Sequence, residues 1–102
     1  MSYYAGDWLS NSDGKETHLL TINSDGSIIV KKEYNNSNAD TTISSTSIKR
    51  NSDTSYTFDY YDSSQGNKGN ITLNFSSSTQ GTFTGNYPDA ENQEDPLNIT
   101  KK

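Results

Sequence analysis

The chain has no cysteine among its 102 residues, which excludes both a disulfide framework and a thiolate metal site. One histidine, His18, leaves a single imidazole for acid–base or ligand chemistry, and no zinc-ligand spacing surrounds it. Bases are scarce: eight Lys and Arg stand against thirteen Asp and Glu, for a formal charge of −5. The doublets Lys31-Lys32, Lys49-Arg50 and Lys101-Lys102 are too small to neutralise a run of phosphates, so nucleic acid is not an expected partner. No apolar run approaches membrane-spanning length, and no basic-then-apolar start resembles a signal peptide. Apolar side chains are themselves few. Leu, Ile, Val and Phe number sixteen, against forty Ser, Thr and Asn. With a mean hydropathy of −0.98, composition alone borders on the disordered class.

Patterning pulls the chain back into the folded class. The tetrad Asn-Ser-Asp-Gly occurs at Asn11–Gly14 and again at Asn23–Gly26. Asn, Ser and Asp bond locally to the backbone and Gly tolerates positive φ, so each tetrad reads as a reverse turn. Segments on either side alternate apolar and polar residues, which predicts a three-stranded meander over Gly6–Tyr34. In Thr17–Ile22, Leu20 and Ile22 share a face with His18, opposite Leu19 and Thr21. In Ser27–Tyr34, Ile28, Val30 and Tyr34 share a face, and Lys32 has the same parity.

The remainder continues in the same style. Asn35–Asp40 reads as a loop, and Thr41–Arg50 as a bulged, an edge or a twisted irregular strand, because Ile43 and Ile48 have opposite parity. Tyr56, Phe58 and Tyr60 alternate on one face, as do Ile71, Leu73 and Phe75, then Phe83, Gly85 and Tyr87. Asp62–Gly69 and the acidic Pro88–Pro96 read as loops, and Leu97–Ile99 as a closing strand. No segment carries sustained helical periodicity. The expectation is one all-β domain over residues 1–102, an antiparallel up-and-down meander of about eight strands. It closes either as a small barrel or as a β-sandwich.

Gly6-x-Trp8 on the first strand of such a meander resembles the opening of the calycin group: lipocalins, avidins and fatty-acid-binding proteins. Phe83-Thr84-Gly85-Asn86-Tyr87 is similar to calycin strands written F-x-G-x-Y. The resemblance implies that Trp8 closes one end of a barrel, with a base near the last strand, Lys101 or Lys102, packed over it. It also implies an interior that holds a small apolar ligand, or one filled by side chains at this length. The chain departs from lipocalins in its shortness and its lack of a disulfide.

Catalytic chemistry finds little support in these residues. His18 is paired with no Ser nucleophile, Asp59 and Asp62 flank Tyr60-Tyr61 without forming an acid–base pair, and the acids of Pro88–Pro96 lack calcium-loop spacing. No catalytic residue, metal or cofactor is expected. The candidate ligand-binding residues are Trp8, Lys32, Tyr34, Tyr60 and Tyr61. Lys32 stands at inward parity, where it would anchor an anionic head group unless the strand leaves the core after Val30. Adjacent Tyr60 and Tyr61 face opposite sides, so one ring is exposed, and with Tyr3 and Tyr4 it would offer a platform to sugars or a protein partner. Asn35, Asn70, Asn74 and Asn98 stand in N-x-S/T sequons, which matter only in a eukaryotic secretory pathway.

The function expected from all this is a non-enzymatic, monomeric binding module of an extracellular or cell-surface protein, its ligand unknown. The localisation rests on a Ser/Thr/Asn/Lys-rich composition of Gram-positive type, with no export signal in this chain and a lipid anchor left open for a full-length protein. A structural or adhesive surface module and a small acidic phage-type inhibitor are the alternatives. Partners are expected to be a small apolar ligand or a surface glycan or protein, without a membrane span.

Overall fold

The computed structural model describes residues 2–12, 14–34, 39–62, 66–88 and 96–102. Nine antiparallel strands form one sheet: β1 (Gly6–Ser12), β2 (Lys15–Ile22), β3 (Ile28–Val30), β4 (Thr41–Ile43), β5 (Ile48–Ser52), β6 (Ser55–Asp62), β7 (Asn67–Phe75), β8 (Gln80–Asn86) and β9 (Leu97–Lys101). The order across the sheet is β4-β3-β2-β1-β9-β8-β7-β6-β5. Neighbours in sequence are neighbours in space except at β1 and β9, whose pairing, Trp8 opposite Lys101, joins the two ends of the chain. The edges β4 and β5 are consecutive in sequence, so the sheet curls into a nearly closed barrel with its seam between them. An up-and-down meander is borne out, and the sandwich alternative gives way to one continuous sheet.

Local chemistry explains most of the elements. Ser12 pairs with Lys15, so the first tetrad lends Asn11 and Ser12 to β1, and Gly14 enters β2 at φ +79°. The second tetrad is a longer loop. Gly26 N donates to Asn23 O at 2.9 Å, and Asp25 Oδ1 accepts from Ser27 N at 2.9 Å and Ser27 Oγ at 2.6 Å. Those two bonds lower the Asp25 carboxyl below its ordinary pKa. β6 and β7 run further toward each other than composition indicates, since Tyr61 pairs with Lys68 and Tyr60 with Gly69.

Three expectations about parity are corrected. β1 and β2 shift register between Trp8 and Leu9: Trp8 faces Leu20, Leu9 faces His18, and Leu19 is the extra residue of a bulge. The bulge lets adjacent Leu19 and Leu20 both be buried, and it moves His18 off the inward set. The inward parity of Lys32 is lost because β3 ends at Val30 and residues Lys32–Tyr34 form a 3-10 turn with Lys32 exposed. The irregular strand over residues 41–50 is two strands. Ser44 caps a 3-10 turn at Ser45–Ser47, and that insertion brings Ile43 and Ile48 both against the core despite their opposite parity.

The inward residues make one cluster that includes Trp8, Leu20, Ile22, Ile28, Phe58, Ile71, Leu73 and Phe83. Trp8, Leu20, Ile28, Ile71, Leu73 and Phe83 are each 0% exposed, so no water-sized void touches them.

Candidate functional site

The ends of the barrel are covered by aromatic rings. At one, the 3-10 turn Ser2–Tyr4 lays the Tyr4 ring on Phe75, with centroids 3.8 Å apart and planes within 9°. Trp8 Nε1 donates to Tyr4 O at 2.9 Å, and its indole sits 5.0 Å from the Phe75 ring. The hydroxyls of Tyr4 and Tyr56 both reach Asp53 O, at 3.4 Å and 3.2 Å. Burial, then the neighbouring Tyr56 and Tyr3 hydroxyls, raise the pKa of Tyr4 above the ordinary tyrosine value. Opposite Trp8, the Lys101 stem lies against Gly6, whose φ of +140° is a backbone conformation that residues with a side chain rarely adopt.

At the other end, Tyr34 lies over the core from its 3-10 turn. Its ring packs edge-on against Phe83 at 4.8 Å and Tyr60 at 5.8 Å, and its hydroxyl meets that of Tyr87 at 2.8 Å. Tyr87 crosses Gly69 so closely that a Cβ there would drive into the Asn86 carbonyl and the Tyr87 ring.

The five candidate ligand residues are therefore divided. Tyr34 and Tyr60 meet at one end of the barrel, Trp8 lies at the other, and Lys32 is exposed, its backbone N–H donating to Asp40 Oδ1 at 2.9 Å. Tyr60 is buried and Tyr61 is 53% exposed, so the adjacent rings do face opposite sides. Tyr3 is exposed beside the Trp8 end and Tyr4 is stacked beneath it, so neither joins Tyr61 in one platform.

Outside the barrel, a hollow of about 640 Å³ lies beside Tyr61 at the Tyr34 end. Asp59, Lys68, Gly69, Asn70 and Pro88 line it with Tyr61 and the otherwise buried Tyr60. Asp59 stands opposite Asn70 and Tyr61 opposite Lys68, so β6 and β7 deliver two adjacent outward-facing pairs. Among the described residues the side chains of Asp59, Tyr61, Lys68 and Asn70 have no hydrogen bond or ion pair. One row further along the same wall the polar groups satisfy each other: Asn51 Nδ2 donates to Thr57 Oγ1 at 2.8 Å, and Thr57 and Thr72 hydroxyls meet at 3.1 Å. A second hollow of about 460 Å³ borders the β7–β8 turn, but its aromatic residue, Phe75, is buried. Pairing period identifies Tyr61 from sequence. It does not identify Lys68, because Asp62–Gly69 reads there as a loop, nor Asn70, whose partner on β6 is fixed only by the pairing register.

On the opposite wall His18 Nε2 lies 3.1 Å from Leu20 O and 2.9 Å from Thr21 Oγ1. A carbonyl only accepts, so Nε2 carries the proton. Thr21 Oγ1 donates in turn to Asp7 Oδ1 at 2.8 Å. The hydroxyl proton is thus aimed at the carboxylate instead of an imidazole base, the reverse of what a hydroxyl nucleophile requires. Lys31 Nζ bonds Asp40 Oδ2 at 2.8 Å, an exposed pair that ties the exit of β3 to the entry of β4. That bond raises the Lys31 pKa and lowers that of Asp40, helped at Asp40 by the Lys32 N–H.

Among the described residues no three His, Asp or Glu side chains gather as a metal site. The acidic residues 89–95, the sequence candidates for calcium, lie outside the described residues. No described helix is long and apolar enough to cross a membrane. In comparisons with known proteins the chain matches no family model, no curated protein and no solved structure.

Proposed function

We propose that this chain is a non-enzymatic binding module, calycin-like in build and extracytoplasmic in setting, that engages its ligand on the outer wall of the barrel. The observation that carries this reading is the contrast between inside and outside. At the centre of the core Trp8, Leu20, Ile28, Ile71, Leu73 and Phe83 have no accessible surface beside which an apolar guest would lie, while polar side chains without a partner among the described residues converge with an exposed ring around the Tyr61 hollow. Support for the calycin-like build comes from Trp8, buried at the end covered by Tyr4, with Lys101 as its cross-strand partner. The extracytoplasmic setting rests on the Ser/Thr/Asn-rich, cysteine-free composition.

A ¹H–¹⁵N correlation spectrum recorded with mixtures of fatty acids, sterols and short glycans tests the reading. Shifts confined to the outer wall around Tyr61 are the expected result. Shifts at Val30, Phe58 and Leu73 on adding a fatty acid or sterol would mean an interior that opens to a guest, and the outer-wall reading would fall.

A further inference from the structure

We infer that the hollow beside Tyr61 is a glycan site, selective for uncharged sugars, an inference that rests on the outer-wall reading above. The argument starts from the groups available. A sugar hydroxyl both donates and accepts, so a site for several of them needs both kinds of partner within reach. Asp59 supplies two acceptor oxygens, Asn70 one acceptor and two donor hydrogens, and Lys68 three donors. Cross-strand pairing sets the Asp59 carboxylate beside the Asn70 amide, where adjacent hydroxyls of one ring would bridge them.

Tyr61 supplies the other half of sugar recognition. A pyranose has an apolar face of C–H bonds, slightly positive at hydrogen, that complements the negative face of an aromatic ring. Tyr61 is 53% exposed, and a tyrosine ring loses little conformational freedom when a ligand covers it.

Charge narrows the class. Asp59 and Lys68, on neighbouring rows of the same two strands, are the charged residues among those that line the hollow, and their formal charges sum to zero, so the lining favours neither an anionic nor a cationic ligand. An apolar ligand is disfavoured for a different reason: it would bury the polar side chains without replacing their water. An uncharged, polyhydroxylated ligand meets both conditions.

The test is a ¹H–¹⁵N titration of the whole chain with hexasaccharides of β-1,4-linked glucose, N-acetylglucosamine, mannose and xylose, and of α-1,4-linked glucose. A heparin fragment, a mixed peptide pool and palmitate complete the series. At least one uncharged hexasaccharide is expected to saturate, with shifts centred on Tyr61, Lys68 and Asn70. Tyr61→Ala then weakens binding about tenfold or more, and Asn70→Ala several-fold. Lys68→Ala, which removes the ammonium donor, also weakens it several-fold, and Tyr3→Ala leaves it unchanged. If no uncharged hexasaccharide shifts these residues at millimolar concentration, the glycan assignment is overturned. Should the heparin fragment or the peptides shift them instead, the ligand class is wrong while the outer-wall reading stands. Palmitate-induced shifts at Leu20, Leu73 and Phe83 would bring down both.

Discussion

At one end of the barrel an indole and two stacked rings close the core; at the other a half-buried tyrosine lies across it, held by a hydroxyl. Trp8, Tyr4 and Phe75 make a seal of apolar area, with one buried hydrogen bond from Trp8 Nε1 to Tyr4 O. Tyr34, Tyr60 and Tyr87 make a seal whose polar edges find each other, and its outer shoulder carries the Tyr61 hollow. The first arrangement commits its groups to the fold. The second leaves aromatic and polar groups near solvent, which is where a ligand surface is cheapest to build.

The comparison can be broken by substitution. Trp8→Ala empties the first seal and strands the turn at Tyr4, and should destabilise by about 3–5 kcal/mol in chemical denaturation. Gly69→Ala pushes a methyl against the Asn86 carbonyl and the Tyr87 ring, and about 1–3 kcal/mol of destabilisation is expected in the same measurement. Tyr34→Phe keeps the ring contacts and removes one partner of the hydroxyl pair, for about 0.5–1.5 kcal/mol. A Trp8→Ala cost no larger than that of Tyr34→Phe would end the distinction between an apolar seal and a hydroxyl-held one.

A pH titration sharpens the same contrast at smaller amplitude. Burial holds the folded-state pKa of Tyr4 above its unfolded value, with Tyr56 and Tyr3 adding to the rise. Its contribution is therefore fully present below the unfolded tyrosine pKa, and is lost as pH climbs from there through the folded value. Tyr4→Phe keeps the stack on Phe75 and should flatten the alkaline loss of stability, as followed by near-UV circular dichroism. An unchanged alkaline slope would show that the Tyr4 hydroxyl is not what titrates.

Much of the strand layout could be read from side-chain period. Tyr56-Phe58-Tyr60 and Ile71-Leu73-Phe75 alternate because each strand has one wet face and one dry face, and both sets do point inward. Period also marked Tyr61 as an exposed ring, whereas the end position of Trp8 was only what the calycin resemblance implied. The failures share a cause. Period two is blind to an inserted residue: the bulge at Leu19 reversed the parity of His18, and the turn at Ser45–Ser47 is what lay behind the opposite parity of Ile43 and Ile48. At the candidate site, Lys68 was hidden because Asp62–Gly69 is polar and glycine-rich, which reads as loop until its pairing with β6 is known, and Asn70 because only the pairing register fixes its partner on β6.

By itself, then, the sequence determined that this is an all-antiparallel β protein with thin, aromatic-rich apolar faces, because alternation and turn chemistry act within a few residues. Tertiary structure alone decided which tyrosines cover the ends of the core. Tyr34 and Tyr87 touch across 53 residues of chain, and Tyr4 stacks on Phe75 only because β1 pairs with β9. Such contacts depend on closure of the sheet, and closure is a property of all the strands together that no local pattern carries.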